Sequence, residues 1–494
     1  MKQVADVIVR LKDYSMLEVD VDSGLAAEIS DYFSFYVPGY KFMPAYKNKV
    51  WDGKIKLFNR MNGELNAGLF VYLAKFCEER NYIVKVESSD YGLPATNNNI
   101  DTDKLNEFIL SLNLPFMPHE YQYEAIVHAL NYNRGILLSP TGSGKSFIMY
   151  LIVQYYLRMI RDKRVLIIVP TTSLVEQLYS DFNDYGMNAE KYVHKIYSGK
   201  DKTTTKPIII STWQSIYKFP KKWFEQFGMV LGDECHGFKS KSLSSIMNKA
   251  TEAKYRYGLT GTLDGTQTHK LVLEGLFGPV YKVTTTKKLQ DDNNLAALDI
   301  EILLLNYPED VRKNFGKRDY QDEIEFIISH EGRNKLITDL AVSCTGNTLV
   351  LFQRVEKHGQ PLFDMINNGV EKNRKVFFVS GDTDTSDREA IRKIVEKQPN
   401  AIIVASLGTF STGINIKNLH NIIFAAPSKS QIKVLQSIGR GLRKSDDGRT
   451  TRLFDIADDL HWKSRKNFTL LHSAARVKIY NKEQFNFKII KVDI

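Results

Sequence analysis

From residue 135 onward the chain lays down short, continuously apolar runs at regular intervals, and no other feature constrains its fold as tightly. The runs are GILLS (135–139), VLIIVP (165–170), PIIIST (207–212), MVLGDE (229–234) and YGLTGT (257–262). After a gap come NTLVLF (347–352), KVFFVS (375–380), AIIVAS (401–406), NIIFAAP (421–427) and RLFDI (452–456). Without polar alternation, each predicts a strand buried on both faces. Helical patterns fill the intervals, and buried strands alternating with helices form parallel α/β sheets. Two such sheets in tandem are expected, separated by a stretch at 283–346 that reads as irregular.

Open parallel sheets bind ligands at the carboxyl ends of their strands, and that is where the polar residues fall. LLSPTGSGKS (137–146) has the form of a phosphate loop, with Ser139 where the usual pattern has its first glycine. Gly142 and Gly144 let the backbone fold around an anion, so that the N–H groups of Thr141, Gly142, Ser143 and Gly144 cradle phosphate at a helix amino terminus. Lys145 then reaches the β- and γ-phosphates of ATP, and the Ser146 hydroxyl ligates Mg²⁺. Thr-Gly-x-Gly-Lys-Ser/Thr arises by chance in about one such sequence in a thousand at average residue frequencies, which disfavours a plain glycine turn. LGDECH (231–236) ends another apolar run. There Asp233 would hold Mg²⁺ and Glu234 would orient or deprotonate the attacking water.

With these motifs in order, residues 115–445 resemble the superfamily 2 helicases and translocases, with DECH as their DExH motif. The resemblance implies two tandem RecA-like domains with ATP between them. It makes Gln122 the adenine-reading glutamine and Gly413 a further nucleotide contact. Within VPTTSLVEQ (169–177) and STWQS (211–215), it places Thr171, Thr172, Thr212, Trp213 and Gln214 on the nucleic-acid backbone. His236, with Thr260 and Thr262 of LTGT (259–262), would couple hydrolysis to movement. In the second half LFQRVEKHGQ (351–360), VSGDTDTSDRE (379–389), ASLGTFSTGINIKNL (405–419) and QSIGRGLRK (436–444) resemble the remaining motifs. Thr409 and Thr412 would touch nucleic acid, while Gln436, Arg440 and Arg443 would complete the ATPase site. An arginine brought to the phosphoryl group contributes about 10³–10⁵ in rate. The family also tolerates a small residue other than glycine at the position of Ser139.

The net charge of +10 is unevenly spread. Residues 1–35 carry three basic and seven acidic side chains, whereas 36–60 carry six basic, one acidic and six aromatic ones. The tail 461–494 carries eight basic and two acidic. Basic side chains beside aromatics suit a DNA surface, with Lys47, Lys49 and Lys54 as candidate contacts; Tyr36, Tyr40, Phe42, Tyr46 and Trp51 could equally fill a small core. The segments DYFSFYVPGY to KIKLF and RVKIYNKEQFNFKI (476–489) resemble the ends of the phage UvsW-type branch-migration helicases. That likeness implies branched DNA as partner: forks, Holliday junctions or displacement loops. The expected domains are a small α+β domain at 1–100, a first RecA-like domain at 101–285, and a second with a basic extension at 286–494. A translocase motor of a restriction or remodelling complex, or an RNA helicase, is the alternative. Cys77, Cys235 and Cys344 have no metal-ligand or disulfide spacing. Without an apolar leader or a spanning run, a cytoplasmic location is expected, in a host cell if the chain is phage-encoded.

Overall fold

The structure, a computed structural model, describes residues 5–160, 163–197, 201–263, 267–315, 319–409, 416, 418–426, 439 and 450–494. It divides into two compact units, Met1–Ser139 with Gly144–Val283, and Thr284–Ile494 with Pro140–Ser143. No helix among the described residues is long and apolar enough to cross a membrane.

The first unit opens with a small mixed sheet. Apolar and polar side chains alternate along β1 (Val7–Leu11) and β2 (Met16–Asp20), which buries Val7, Val9, Leu11, Leu17 and Val19. The Asp13 carboxylate accepts the backbone N–H groups of Ser15 at 2.6 Å and Met16 at 3.0 Å, which fixes the turn between them. β3 (Ser34–Tyr36) and β4 (Lys54–Lys56) pair as a separate antiparallel ribbon. β5 (Phe58–Asn59), β6 (Glu64–Asn66) and β7 (Val84–Val86) complete the main sheet in the order β5–β6–β2–β1–β7, the β1–β7 pair being parallel. Helices Ser23–Tyr32 and Phe70–Glu79 cover it with Ile29, Leu73 and Phe76.

This domain is built onto its neighbour within the same unit. Leu271, from the helix Gln267–Phe277, belongs to the small domain's core. Tyr72 donates its hydroxyl to the Glu274 carboxylate at 2.7 Å, and Asn66 bonds Asn248 at 3.1 Å. A side chain at Gly68 would put a carbon 1.9 Å from the Glu274 carbonyl oxygen, so only glycine allows this approach. The polar stretch 88–103 leads into the helix Thr102–Leu110, capped by Asp101, whose Phe108 meets Tyr155 edge-on at 5.2 Å. Removing residues 1–108 would therefore uncover apolar surface as well as remove charge.

β8 (Arg134–Leu138), β9 (Arg164–Val169), β10 (Val193–Ile196), β11 (Ile208–Thr212), β12 (Phe227–Asp233), β13 (Tyr255–Thr260) and β14 (Val280–Lys282) form an all-parallel sheet, in the order β10–β11–β9–β12–β13–β8–β14. The five runs expected from the sequence are its interior strands; the two edges, VHKI and VYK, are too short and polar to stand out. Arg256 is buried inside β13, with no acidic hydrogen-bond partner among the described residues. Its guanidinium donates to the carbonyls of Ala253 at 2.9 Å, Met247 at 3.0 Å and Ala250, and so caps the end of the helix Lys241–Lys249.

The second sheet contains β15 (Leu298–Asn306), β16 (Thr348–Phe352), β17 (Val376–Val379), β18 (Ile402–Ser406), β19 (Asn421–Phe424), β20 (Thr451–Asp459) and β21 (Phe487–Asp493). It too is all parallel, in the order β17–β18–β16–β19–β20–β15–β21. The stretch 283–346 is not irregular: it holds β15 and the helices Thr286–Asp291, Glu309–Asn314, Tyr320–Ser329 and Glu331–Ser343. Asp299 and Glu301 interrupt the apolar run at the start of β15, which hides the strand from pattern reading.

Two buried carboxylates tie β20 to its helices. Asp458 accepts from Arg333 Nε at 2.7 Å and Nη2 at 3.1 Å and from the Tyr307 hydroxyl at 2.9 Å. Asp455 accepts from Arg476 at 2.6 Å and from the Tyr480 hydroxyl at 2.8 Å. Breaking a buried pair from one side strands the other charge, at about 3–5 kcal/mol. Asp458→Ala is therefore expected to destabilise the second unit by that much in urea unfolding; an unchanged midpoint would mean that Arg333 is not held by this carboxylate.

Candidate ATPase and nucleic-acid site

β8 ends at Leu138, and Ser139 is fully buried with its N–H donated to the Thr260 carbonyl at 2.9 Å. A small residue fits this position between two strands, which accounts for the serine. Gly142 (φ 86°) and Gly144 (φ 78°) lie in the left-handed region and turn the chain into the helix Lys145–Tyr155. A side chain on Gly144 would meet Gln122 Nε2 at 2.4 Å, so the Gln122 carboxamide rests directly against the loop. The carboxamide's position is fixed in turn by Oε1, which accepts the His119 N–H at 2.9 Å. The Ser143 hydroxyl donates to the Pro140 carbonyl at 2.6 Å, and the Lys145 ammonium to the Ser139 carbonyl at 3.3 Å. Thr141 is partly exposed. Ser146 Oγ lies 2.9 Å from the Tyr185 hydroxyl. Tyr185 carries no motif in the sequence; an aromatic cluster with Phe147, Tyr150 and Phe116 positions it.

Across the intervening β13, β12 delivers Asp233 and Glu234. Burial, then the neighbouring Glu234 charge, pushes the Asp233 carboxyl up to about 6, with Lys145 opposing the rise. Glu234 sits at φ 47°, a conformation rare for a residue with a side chain, and its N–H donates to Asp233 Oδ1 at 2.9 Å. This kink turns its carboxylate toward the next loop. There Glu234 Oε2 lies 3.3 Å from His236 Nδ1 and 3.4 Å from Thr260 Oγ1, while His236 Nδ1 and Thr260 Oγ1 are 3.0 Å apart. Thr260 also bonds the Thr262 backbone: its hydroxyl donates to the carbonyl at 3.0 Å. Thr262 itself is buried, its hydroxyl without a hydrogen-bond partner among the described residues. A carboxylate–histidine–threonine chain thus links the ends of β12 and β13. Cys235, between these residues, points into the core, where burial raises its thiol pKa.

The other predicted contacts are unevenly displayed. Thr171 caps the helix Thr172–Asp184 by accepting the Leu174 N–H at 3.3 Å. Gln214 is exposed and bonds the Pro170 carbonyl at 3.3 Å, so the loops after β9 and β11 meet. Thr212, by contrast, is buried with its hydroxyl 2.9 Å from Ser215 Oγ, and Trp213 packs against the core. At the end of β18, Thr409 is buried and accepts the Ser406 hydroxyl at 2.7 Å. Thr412, Gly413, Gln436, Arg440 and Arg443 lie outside the described residues. Lys47 and Lys49 are exposed, and Lys54 sits 5.1 Å over the face of Tyr36.

A phosphate loop on β8 and an Asp-Glu pair on β12 of one parallel sheet, with a second parallel sheet after it, define the motor class of superfamily 2 helicases and translocases. Residues 115–265 match the family described as type III restriction enzyme, res subunit, and 332–445 the helicase conserved C-terminal domain; residues 6–87 match the N-terminal domain of DNA helicase UvsW. The chain is 35% identical to the ATP-dependent DNA helicase uvsW of Enterobacteria phage T4, over 99% of this chain and 100% of that one. The crystal structure of T4 UvsW superposes with a TM-score of 0.53 at 33% identity, covering 99% of each chain. The DNA 3'-5' translocase XPB2 of Sulfurisphaera tokodaii is 25% identical over 66% of this chain and 79% of its own length. The chain belongs to the UvsW family of ATP-dependent DNA helicases.

Proposed function

We propose that the protein uses ATP hydrolysis to unwind and branch-migrate branched DNA such as forks, Holliday junctions and displacement loops. The observation that carries the ATPase half is the convergence of Lys145, Ser146, Asp233 and Glu234 at the carboxyl ends of β8 and β12. In this reading the loop Thr141–Gly144 binds the phosphates, Gln122 reads the adenine and Lys145 neutralises the β- and γ-phosphates. Glu234 orients the attacking water, and the His236–Thr260–Thr262 chain passes the state of the nucleotide to the motor. Ser146 and Asp233 supply hard oxygen donors, and a divalent cation would offset both the burial and the neighbouring Glu234 charge that raise the Asp233 pKa. They would hold Mg²⁺, which would neutralise phosphate charge. Gln436, Arg440 and Arg443 keep the roles that the family resemblance gives them.

The branched-DNA half rests on the lobe Ser34–Leu57, in which Gly53 is the one buried residue. Its aromatics do not fill a large core. Tyr36 and Tyr40 stack at 4.5 Å, Tyr46 meets Tyr40 edge-on at 4.7 Å, and Trp51 donates to the Lys54 carbonyl at 2.8 Å. Around this brace Phe42 and Val50 are each 81% exposed beside Lys41, Lys47 and Lys49. The lobe's acidic residue, Asp52, is already paired with Lys56 at 2.8 Å. Apolar side chains held in water among exposed cations suit bases and phosphates together. Strand separation assays on forked DNA, a Holliday junction and an equivalent RNA, with and without ATP, test this function. ATP-dependent processing of the two branched DNAs but not of the RNA is expected, and equal activity on RNA would overturn it. Charge reversal at Lys47, Lys49 and Lys54 is expected to weaken fork and junction binding more than single-strand binding. It should also flatten the salt dependence by about 0.9 in slope for each duplex phosphate that is no longer neutralised. Equal weakening on all substrates would place this surface elsewhere than at the branch.

A further inference from the structure

The sequence HWKSRK (461–466) follows β20 and lies beyond the residues that match any helicase family description, which end at 445. It forms a two-residue turn: Trp462 and Arg465 exchange both backbone hydrogen bonds at 3.1 Å, with Lys463 at the tip in the left-handed region (φ 52°). Buried polar groups clamp the stem. Asn467 accepts the Leu460 N–H at 3.0 Å and donates to the Asp458 carbonyl at 3.0 Å and to Glu323 at 2.9 Å. Glu323, itself buried, also accepts the N–H groups of Phe468 at 2.9 Å and Thr469 at 2.7 Å. His461 bonds back to Asp459.

On this fixed turn Lys463, Arg465 and Lys466 are all exposed, and none has an acidic partner among the described residues. Some other cations on the same unit are paired, Arg354 and Lys357 with Glu325, Arg392 with Glu389 and Glu396, and Lys488 with Glu301, whereas the turn gathers three that are not. Three like charges within four residues repel one another, and an anion from outside the chain would relieve that repulsion. Its place in the sheet suggests which anion. β20 stands three strand spacings from β18, so the strand ends that lead to the turn and to Thr409, the expected nucleic-acid contact, are about 14 Å apart along the same rim. Nucleic acid covers that distance in about four base steps at 3.4 Å each. Trp462 is half-buried in the stem, which leaves charge without a free stacking face.

We propose that Lys463, Arg465 and Lys466 form a second contact with the sugar-phosphate backbone of the DNA on which the motor acts, a contact that reads no bases. The inference rests on the DNA-helicase reading above. The test uses the full chain with Lys463→Glu, Arg465→Glu and Lys466→Glu combined, and a second variant with glutamine at all three positions. Fluorescence anisotropy gives Kd for a single-stranded oligonucleotide and for a duplex across a salt series, and thermal unfolding checks the fold. In both variants the slope of log Kd against log salt is expected to fall by up to about 2 on single strands, or up to about 2.7 on duplex, with the thermal midpoint retained. The substrate whose slope falls names the form of DNA held. Wild-type slopes on both substrates overturn the proposal, as does weaker binding at unchanged slope, which would reflect shape and not phosphate neutralisation. A wild-type chain that neither binds DNA nor is stimulated by it would instead overturn the helicase reading itself.

Discussion

Lys145→Ala is expected to reduce ATP turnover by at least about 10²–10³ while DNA affinity without nucleotide stays within a few-fold. The size follows from removing one pre-placed positive group from a site where charge is redistributed during phosphoryl transfer. The selectivity follows from position. Lys145 is the first residue of its helix, with its ammonium 3.3 Å from the carbonyl of Ser139 at the end of β8, whereas the loops proposed to face DNA follow β9 and β11. Its loss also removes the cation that opposes the raised pKa of Asp233, so the carboxyl should hold its proton more tightly in the variant. Steady-state phosphate release and anisotropy on a forked DNA separate the two effects. Near-normal turnover would remove the phosphate-loop assignment, and parallel loss of DNA binding would show a folding defect.

How much of this was legible from the sequence depends on whether a residue's role is local. The phosphate loop and the DECH cluster are contiguous, and their chemistry forces glycine, lysine and carboxylate into a fixed spacing. Interior strands were equally readable because burial on both faces leaves an unbroken apolar run. β15 escaped because Asp299 and Glu301 interrupt its run at the start, although the strand lies between β20 and β21. Tyr185 escaped for another reason: its approach to Ser146 is made by the packing of two helices, and no motif spans the 39 positions between them. Side-chain direction was also out of reach. Thr212 and Trp213 sit in a motif expected to grip DNA, yet Thr212 is buried, Trp213 is partly so, and Gln214 beside them is exposed. For the aromatics of 36–60, composition allowed either a core or a surface; the answer needed the fold, which packs Tyr36, Tyr40 and Tyr46 on one another and leaves Phe42 in solvent.

Glu234→Gln is expected to bind ATP with near wild-type affinity and to hydrolyse it about 10²–10⁴-fold more slowly, the range for loss of a positioned general base. The substitution preserves shape, and the backbone N–H that donates to Asp233 at 2.9 Å is untouched, so the neighbouring carboxylate keeps its place. The left-handed backbone at this position supplies a further control. Holding a side-chain-bearing residue at φ 47° costs about 1–3 kcal/mol, which the surrounding structure must offset. If Glu234 served only to cap this turn, Glu234→Gly would relieve the strain and raise the unfolding midpoint without a large loss of turnover. If the carboxylate orients water, Glu234→Gly and Glu234→Gln should lose turnover alike, although only the glycine relieves the backbone strain. The carboxylate's second set of partners, at 3.3 Å for His236 and 3.4 Å for Thr260, yields a further expectation. Thr260→Ala should retain more hydrolysis than strand separation, because it cuts the chain from the nucleotide to the β13 loop without removing the base. Equilibrium binding of a fluorescent ATP analogue, single-turnover hydrolysis and fork unwinding on the same preparations decide the matter. Loss of ATP binding in Glu234→Gln would make Glu234 a ligand-holding or structural group, and equal losses of hydrolysis and unwinding in Thr260→Ala would remove the coupling role.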